Sequence, residues 1–190
     1  AVQPPPQTDL DGAAAGTGPV SSYTEGGAGV AVVEADVAIT DPDSADMVGA
    51  SVTLTNPEAG DVLRVNGSDA ASGTLASGIA WTRTATSVAL SGTFSRADYE
   101  AALRVITFVS TSTAPAAGVR NITVSVNDGT SSSNVATTSI SVVPVSDAPA
   151  GSDSTVVLDE DMSYQFVVND FGFSDPDDTP ANMLQAVIID

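Results

Sequence analysis

Over residues 47–55 apolar and small polar side chains alternate without a break. Val48, Ala50, Val52 and Leu54 fall on one side, and Gly49, Ser51, Thr53 and Thr55 on the other. A period of two places each set on one face of an extended strand, whereas a helix would scatter them, so this stretch reads as a half-buried β-strand. The same period returns at Ile122, Val124 and Val126. Further strand-like runs lie at 21–25, 30–40, 61–65, 79–84, 87–91, 105–110, 119–127 and 135–143. Turn signals separate them: Asp41-Pro42-Asp43-Ser44, Asn56-Pro57-Glu58-Ala59-Gly60 and Asn127-Asp128-Gly129. Residues 66–78 read as a Gly/Ser/Ala loop, and Trp81 is the expected large core residue. Only the segment from Ser95 to Leu103 departs from this pattern. There Ser95, with Asp98 three residues on, resembles a capping box and predicts one short helix. Many short strands, frequent turns and one helical turn predict an all-β chain folded as an antiparallel β-sandwich.

The strands stop at Val143-Pro144-Val145-Ser146-Asp147-Ala148-Pro149. Two prolines remove backbone donors and stiffen the path, so neither flanking sheet is expected to run through. This predicts a linker at 1–19, a sandwich at 20–145, a joint at 146–149 and a second unit at 150–190. The N-terminal AVQPPP has neither the basic nor the apolar region of a signal peptide and reads as a cut from something longer. Landmarks of the first unit recur in the second. Glu160 follows Glu25 by 135 positions, and Asp175-Pro176-Asp177 follows Asp41-Pro42-Asp43 by 134. A period near this value fits two copies, the second ending after about three strands. Its missing strands lie in a longer chain or come from a neighbour.

Charge narrows the function. There are 24 acids, five arginines and no lysine or histidine, for a net charge of −19. Such a surface repels nucleic-acid phosphates and anionic lipids and attracts divalent cations, although acids also simply keep a secreted protein soluble. No run of apolar residues is long enough to insert in a membrane. The absence of cysteine excludes disulfides and thiolate sites, and the absence of histidine excludes a Ser-His-Asp triad and an ordinary zinc site. Without lysine, no Lys–Asn isopeptide can form.

Strand direction places the acids. Loops of an antiparallel sandwich alternate between two poles, so Asp41, Asp43 and Asp128 are expected together at the upper pole. Glu25 and Asp147 fall at the lower pole, where the next copy presents Asp175 and Asp177. Carboxylates gathered this way repel one another unless a cation sits among them. Calcium suits such a set, taking six to eight oxygens in flexible geometry. A solvated turn is the plain reading of a single Asp-Pro-Asp, and its recurrence at a fixed spacing after a Glu favours metal. Neither an EF-hand nor a calcium-binding nonapeptide pattern is present. Glu58 and Asp61 read as a plain turn at the lower pole. Asn66-Gly67-Ser68 and Asn121-Ile122-Thr123 match the glycosylation sequon. Trp81, Tyr23 and Tyr99 are read as core or helix anchors, with a sugar platform as the alternative. The acids lie in Pro/Gly turns with no aromatic-lined pair, so no enzyme is predicted.

Six motifs in order resemble one family: Tyr-Thr-Glu-Gly-Gly (23–27), Asp-Pro-Asp-Ser (41–44), Leu-Ser-Gly-Thr (90–93), Asp-Tyr-Glu-Ala-Ala-Leu-Arg (98–104), Val-Asn-Asp-Gly (126–129) and Ser-Asp-Ala-Pro (146–149). They are similar to the cadherin-like tandem repeats of giant bacterial adhesins, many exported by type I (RTX) secretion. Residues 169–177 resemble the opening of a related repeat. The resemblance implies a cadherin/Ig-like sandwich followed by an incomplete second one. It further implies an extracellular, cell-surface spacer in cell adhesion, stiffened by Ca2+ and packed against neighbouring repeats of the same polypeptide. It assigns Glu25, Asp147, Asp175 and Asp177 to one joint and Asp41, Asp43 and Asp128 to the preceding one. Ser146 stands where such repeats usually carry Asn, and residues 111–117 lack the acids of animal cadherins, which implies fewer or weaker ions. Pro4-Pro5-Pro6 replaces the preceding joint, with Asp9 and Asp11 the acids available to stand in. Two rival readings remain at this point: a filament or surface-layer subunit assembled by strand complementation with other copies, and a carbohydrate-binding module centred on Trp81.

Overall fold

The computed structural model describes residues 3–12, 18–178 and 180–188. The chain is all-β with one short α-helix. Its strands, in order, are β1 (Gln7–Asp9), β2 (Val20–Thr24), β3 (Val30–Ala31), β4 (Ala38–Thr40), β5 (Asp46–Leu54) and β6 (Asp61–Val65). They continue as β7 (Ser72–Thr74), β8 (Ala80–Arg83), β9 (Ser87–Ser95), β10 (Ile106–Ser110), β11 (Gly118–Asn127) and β12 (Ala136–Val143), with helix α1 (Arg96–Arg104) between β9 and β10.

A seven-stranded sheet of order β2-β12-β11-β5-β9-β8-β7 faces a three-stranded sheet of order β3-β10-β6, and β1 pairs with β4 beside them. All pairs are antiparallel except β2 with β12. One continuous core fills the space between the layers. Tyr23 and Phe108 meet edge to face across it at 5.6 Å, and the Tyr23 hydroxyl donates to the Ser110 carbonyl at 2.8 Å. Trp81 lies over Gly73, where any Cβ would overlap the indole. The helix begins as its sequence requires: Ser95 Oγ accepts from the Asp98 N–H at 3.2 Å. Tyr99, Ala102 and Leu103 turn inward.

Four local expectations are corrected. The strand predicted at 30–40 is two short strands, because the chain turns at residues 32–37 and buries Val32, Val33 and Val37 from the bend. In β5 the register against β9 shifts between Met47 and Gly49. A bulge exchanges the faces, so Met47 and not Val48 enters the core. The loop predicted at 66–78 contributes the edge strand β7.

The fourth correction concerns residues 1–19, expected to be a linker. Residues 7–11 belong to the domain: the side-chain amide of Asn134 accepts from Thr8 N at 2.7 Å and donates to Thr8 O at 2.9 Å, as a strand neighbour would. Leu10 is fully buried in the common core.

Beyond β12 the expected three strands of a second copy are absent among the described residues. There the chain forms one isolated bridge, Ala150 with Ser174, and a single 3₁₀ turn at Val168–Phe171. About forty residues offer no second layer, so Val157, Met162, Met183 and Ile188 stay exposed and no sheet is supported.

Candidate metal centre

At the upper pole the turn after β4 is built around Asp41, which is buried. Its Oδ1 accepts from the N–H groups of Asp43 at 3.1 Å and Ser44 at 3.2 Å, and its Oδ2 is sealed from solvent with no hydrogen-bond partner. Burial pushes the Asp41 carboxyl upward more than any other single influence. The donors from Asp43 and Ser44, with the charge of Arg96, together outweigh it and hold the carboxyl below its ordinary value. Asp43, exposed as a residue, turns its carboxyl towards Asp41. Partial desolvation, contact with the Asp41 carboxyl and the charges of Asp41 and Asp128 push it up. Asp128 caps its own turn, its Oδ1 accepting from Thr130 N and Ser131 N at 2.7 Å each. Of the three acids expected at this pole, Asp43 lies against Asp41 and within reach of the charge of Asp128. Pro4 and Pro5 line a cavity of about 410 Å³ with Asp41, Pro42 and Arg96, so the N-terminal prolines lie against the same pole.

The lower pole holds its acids in two half-sets on either side of residues 145–147. Glu25 Oε2 accepts from Val145 N at 2.9 Å, and Glu25 shares a cavity of about 360 Å³ with Asp147 and residues 110–113. Asp177 lines a second cavity, of about 230 Å³, with Val145, Ser146 and Asp178. Asp178, absent from the sequence-based set, makes the contact across the joint. Its carboxylate accepts from Ser146 Oγ and from Asp147 N, both at 3.1 Å. The signal was a third acid directly after Asp175-Pro176-Asp177, where the earlier Asp41-Pro42-Asp43 is followed by Ser44. Asp175 is buried: its Oδ2 accepts from Asn182 N at 2.6 Å, and its Oδ1 is sealed without a partner.

Among the described residues no three acidic side chains already surround a common point in the way a bound ion would need. Two of the buried oxygens without hydrogen-bond partners lie at the poles. Asp41 Oδ2 and Asp175 Oδ1 are hard, buried acceptors without donors. A buried acceptor left unmade costs on the order of 1–3 kcal/mol, and a cation binding oxygen ligands would satisfy both.

The aromatic candidates are core residues: Trp81, Tyr23 and Tyr99 are all buried and form no sugar platform. Asp61, read as a turn residue, is instead half of a buried ion pair with Arg120. Among the described residues no helix is long and apolar enough to cross a membrane. No family model, curated protein or solved structure matches this chain.

Proposed function

We propose that this chain is a calcium-stiffened spacer module of an extracellular, cell-surface adhesin, with no catalytic role. The observation that carries the reading is the equivalence of Asp41 and Asp175. They stand 134 positions apart at the head of the same Asp-Pro-Asp motif, each buried, with one oxygen bonded to a backbone N–H and the other orphaned. Calcium at these positions would neutralise Asp41, Asp43 and Asp128 at one pole. At the other it would draw Asp175 and Asp177 towards Glu25 and Asp147, locking successive modules in line. Asp178, bridging to Ser146 and Asp147, supports a joint already partly engaged.

The test is thermal unfolding with calcium and with chelator, beside small-angle scattering. At calcium a hundredfold above its dissociation constant, each occupied site should raise the midpoint by about 5–10 °C. The maximum dimension should lengthen or sharpen with it. An unchanged midpoint together with an unchanged scattering profile would remove the proposal.

One observation favours a second reading, a filament subunit completed by other copies. Residues 157, 158, 162, 167, 168, 183 and 188 are apolar and exposed, and β2 and β7 leave the large sheet with two open edges. Sedimentation velocity separates the two: concentration-dependent polymers favour the filament, and a monomer at high concentration favours the spacer.

A further inference from the structure

A second acidic group lies where segment 9–12 meets the turn between β3 and β4. Segment 9–12 runs directly against segment 34–38. Asp9 pairs with Ala38, the Glu34 N–H donates to the Leu10 carbonyl at 2.9 Å, and Gly12 sits so close to Asp36 that any Cβ there would collide with the Asp36 carbonyl oxygen. Four acids, Asp9, Asp11, Glu34 and Asp36, are thereby held together by backbone contacts.

Clustering alone does not make a site, since exposed acids on a turn are commonplace. Asp11 is different. It is only 8% exposed, and its Oδ1 is out of contact with solvent and accepts no hydrogen bond. The carboxyl of Asp9 lies against it, and the charges of Glu34 and Asp36 act on it as well. These contacts, with burial, push its carboxyl above the ordinary value, the Asp9 contact contributing most. The guanidinium of Arg104 is engaged elsewhere: Nε donates to Ala35 O at 2.8 Å, and Nη2 donates to Val37 O at 3.4 Å and lies 3.7 Å from the Glu100 carboxylate. Two carboxyl groups pressed together, one of them buried, require either a shared proton or a cation.

We propose that Asp9 and Asp11, completed by the exposed side chains of Glu34 and Asp36, bind a divalent cation of the hard, oxygen-preferring class, calcium before magnesium. Glu34 and Asp36 are exposed, and an all-oxygen set of irregular geometry suits calcium better than the strict octahedron of magnesium. The bound ion would clamp β1 to the turn between β3 and β4, over the buried Leu10. It would be an intradomain staple, in a chain with no cysteine to make a covalent one. This site does not depend on the joint, and the test separates them.

The whole 190-residue chain, stripped of metal, is titrated with calcium chloride in a calorimeter beside three variants: Asp11→Asn, Glu34→Gln/Asp36→Asn, and Asp41→Asn. Asp11→Asn should lose one calcium equivalent. The exposed double variant, which leaves the buried core untouched, should weaken that same equivalent at least tenfold with its midpoint in chelator unchanged. Asp41→Asn should retain it while losing a different one. The inference is overturned if the first two variants bind calcium as the wild type does. It is also overturned if Asp41→Asn removes the same equivalent, or if carboxyl carbon NMR at pH 7 in saturating calcium shows a proton still held between Asp9 and Asp11. If only the Asp41→Asn equivalent is missing from the wild type, the joint reading fails and this one stands.

Discussion

Arg120 on β11 donates from Nε to Oδ2 of Asp61 on β6 at 2.5 Å, and both side chains are almost wholly out of water. The pair spans the two sheets. Asp61 Oδ2 also accepts from Glu58 N at 2.8 Å, and Arg120 Nη2 donates to the Ala116 carbonyl at 2.8 Å. Removing one partner strands a buried charge, which costs about 3–5 kcal/mol. We expect Asp61→Ala or Arg120→Ala to lower stability by that order in urea unfolding. Asp61→Leu with Arg120→Met should recover most of it, since neither charge is then left alone.

Truncating Leu10 tests whether the N-terminal strand belongs to the domain. A fully buried leucine costs about 2–5 kcal/mol when cut to alanine, whereas a linker residue would cost nothing measurable. Urea unfolding of Leu10→Ala should show the larger value, with the same cooperativity as the wild type.

The helix depends on one hydroxyl. Ser95 Oγ accepts from Asp98 N and donates to the Asp98 carboxylate at 2.5 Å. Loss of such a cap costs about 1 kcal/mol. Ser95→Ala should lower stability by roughly this amount, and Ser95→Asp, which keeps an acceptor but places it beside Asp98, should restore only part.

Tyr99 sets an alkaline limit. Its ring is buried, its hydroxyl donates to the Gly92 carbonyl at 2.7 Å, and burial pushes its pKa up to about 12. The unfolded phenol ionises near 10, so between these values the folded chain holds a proton that the unfolded chain releases. Stability from this group is complete below about pH 10 and declines as the pH rises through about 12. Melting curves from pH 9 to 12 should fall more steeply for the wild type than for Tyr99→Phe, whose ring cannot ionise.

Across the joint, Asp178 and Asp147 should separate stability from geometry. Asp178→Ala removes the acceptor for Ser146 Oγ and Asp147 N, both at exposed positions. We expect faster proteolysis between residues 144 and 150 with no change in the melting of the sandwich. Asp147→Ala should behave alike in calcium. If either variant unfolds the sandwich, its carboxylate serves the domain and not the joint.

The strands were legible because a period of two is local. Val52, Leu54, Ile122, Val124 and Val126 show their burial in their own spacing. Val48 misses the core face its spacing suggests because a bulge depends on the partner strand, whose register no single segment encodes. Residues 7–11 look like a linker because β1 is only three residues long, and one of its anchors is an asparagine side chain 126 positions away. At the site, turn chemistry betrayed Asp41, Asp43 and Asp128. Asp61 could not be separated from a turn carboxylate, since its partner arrives from another sheet. Asp11 was visible as an acid but not as a buried one: its burial follows from Leu10 entering the core beside it.

The parallel pairing of β2 with β12 bears on how the domain would resist being pulled. Val20 to Thr24 lie beside Ser139 to Val143 in the same direction, and Glu25 extends the contact by donating to the Val143 carbonyl and receiving Val145 N on its carboxylate. Tension entering ahead of β2 and leaving after β12 draws the two strands lengthwise past each other. Their hydrogen bonds then resist together, in shear, where a hairpin pulled from one end would peel a bond at a time. The seam between the second and last strands, ending at Glu25, is therefore loaded in shear once β1 has parted from β4.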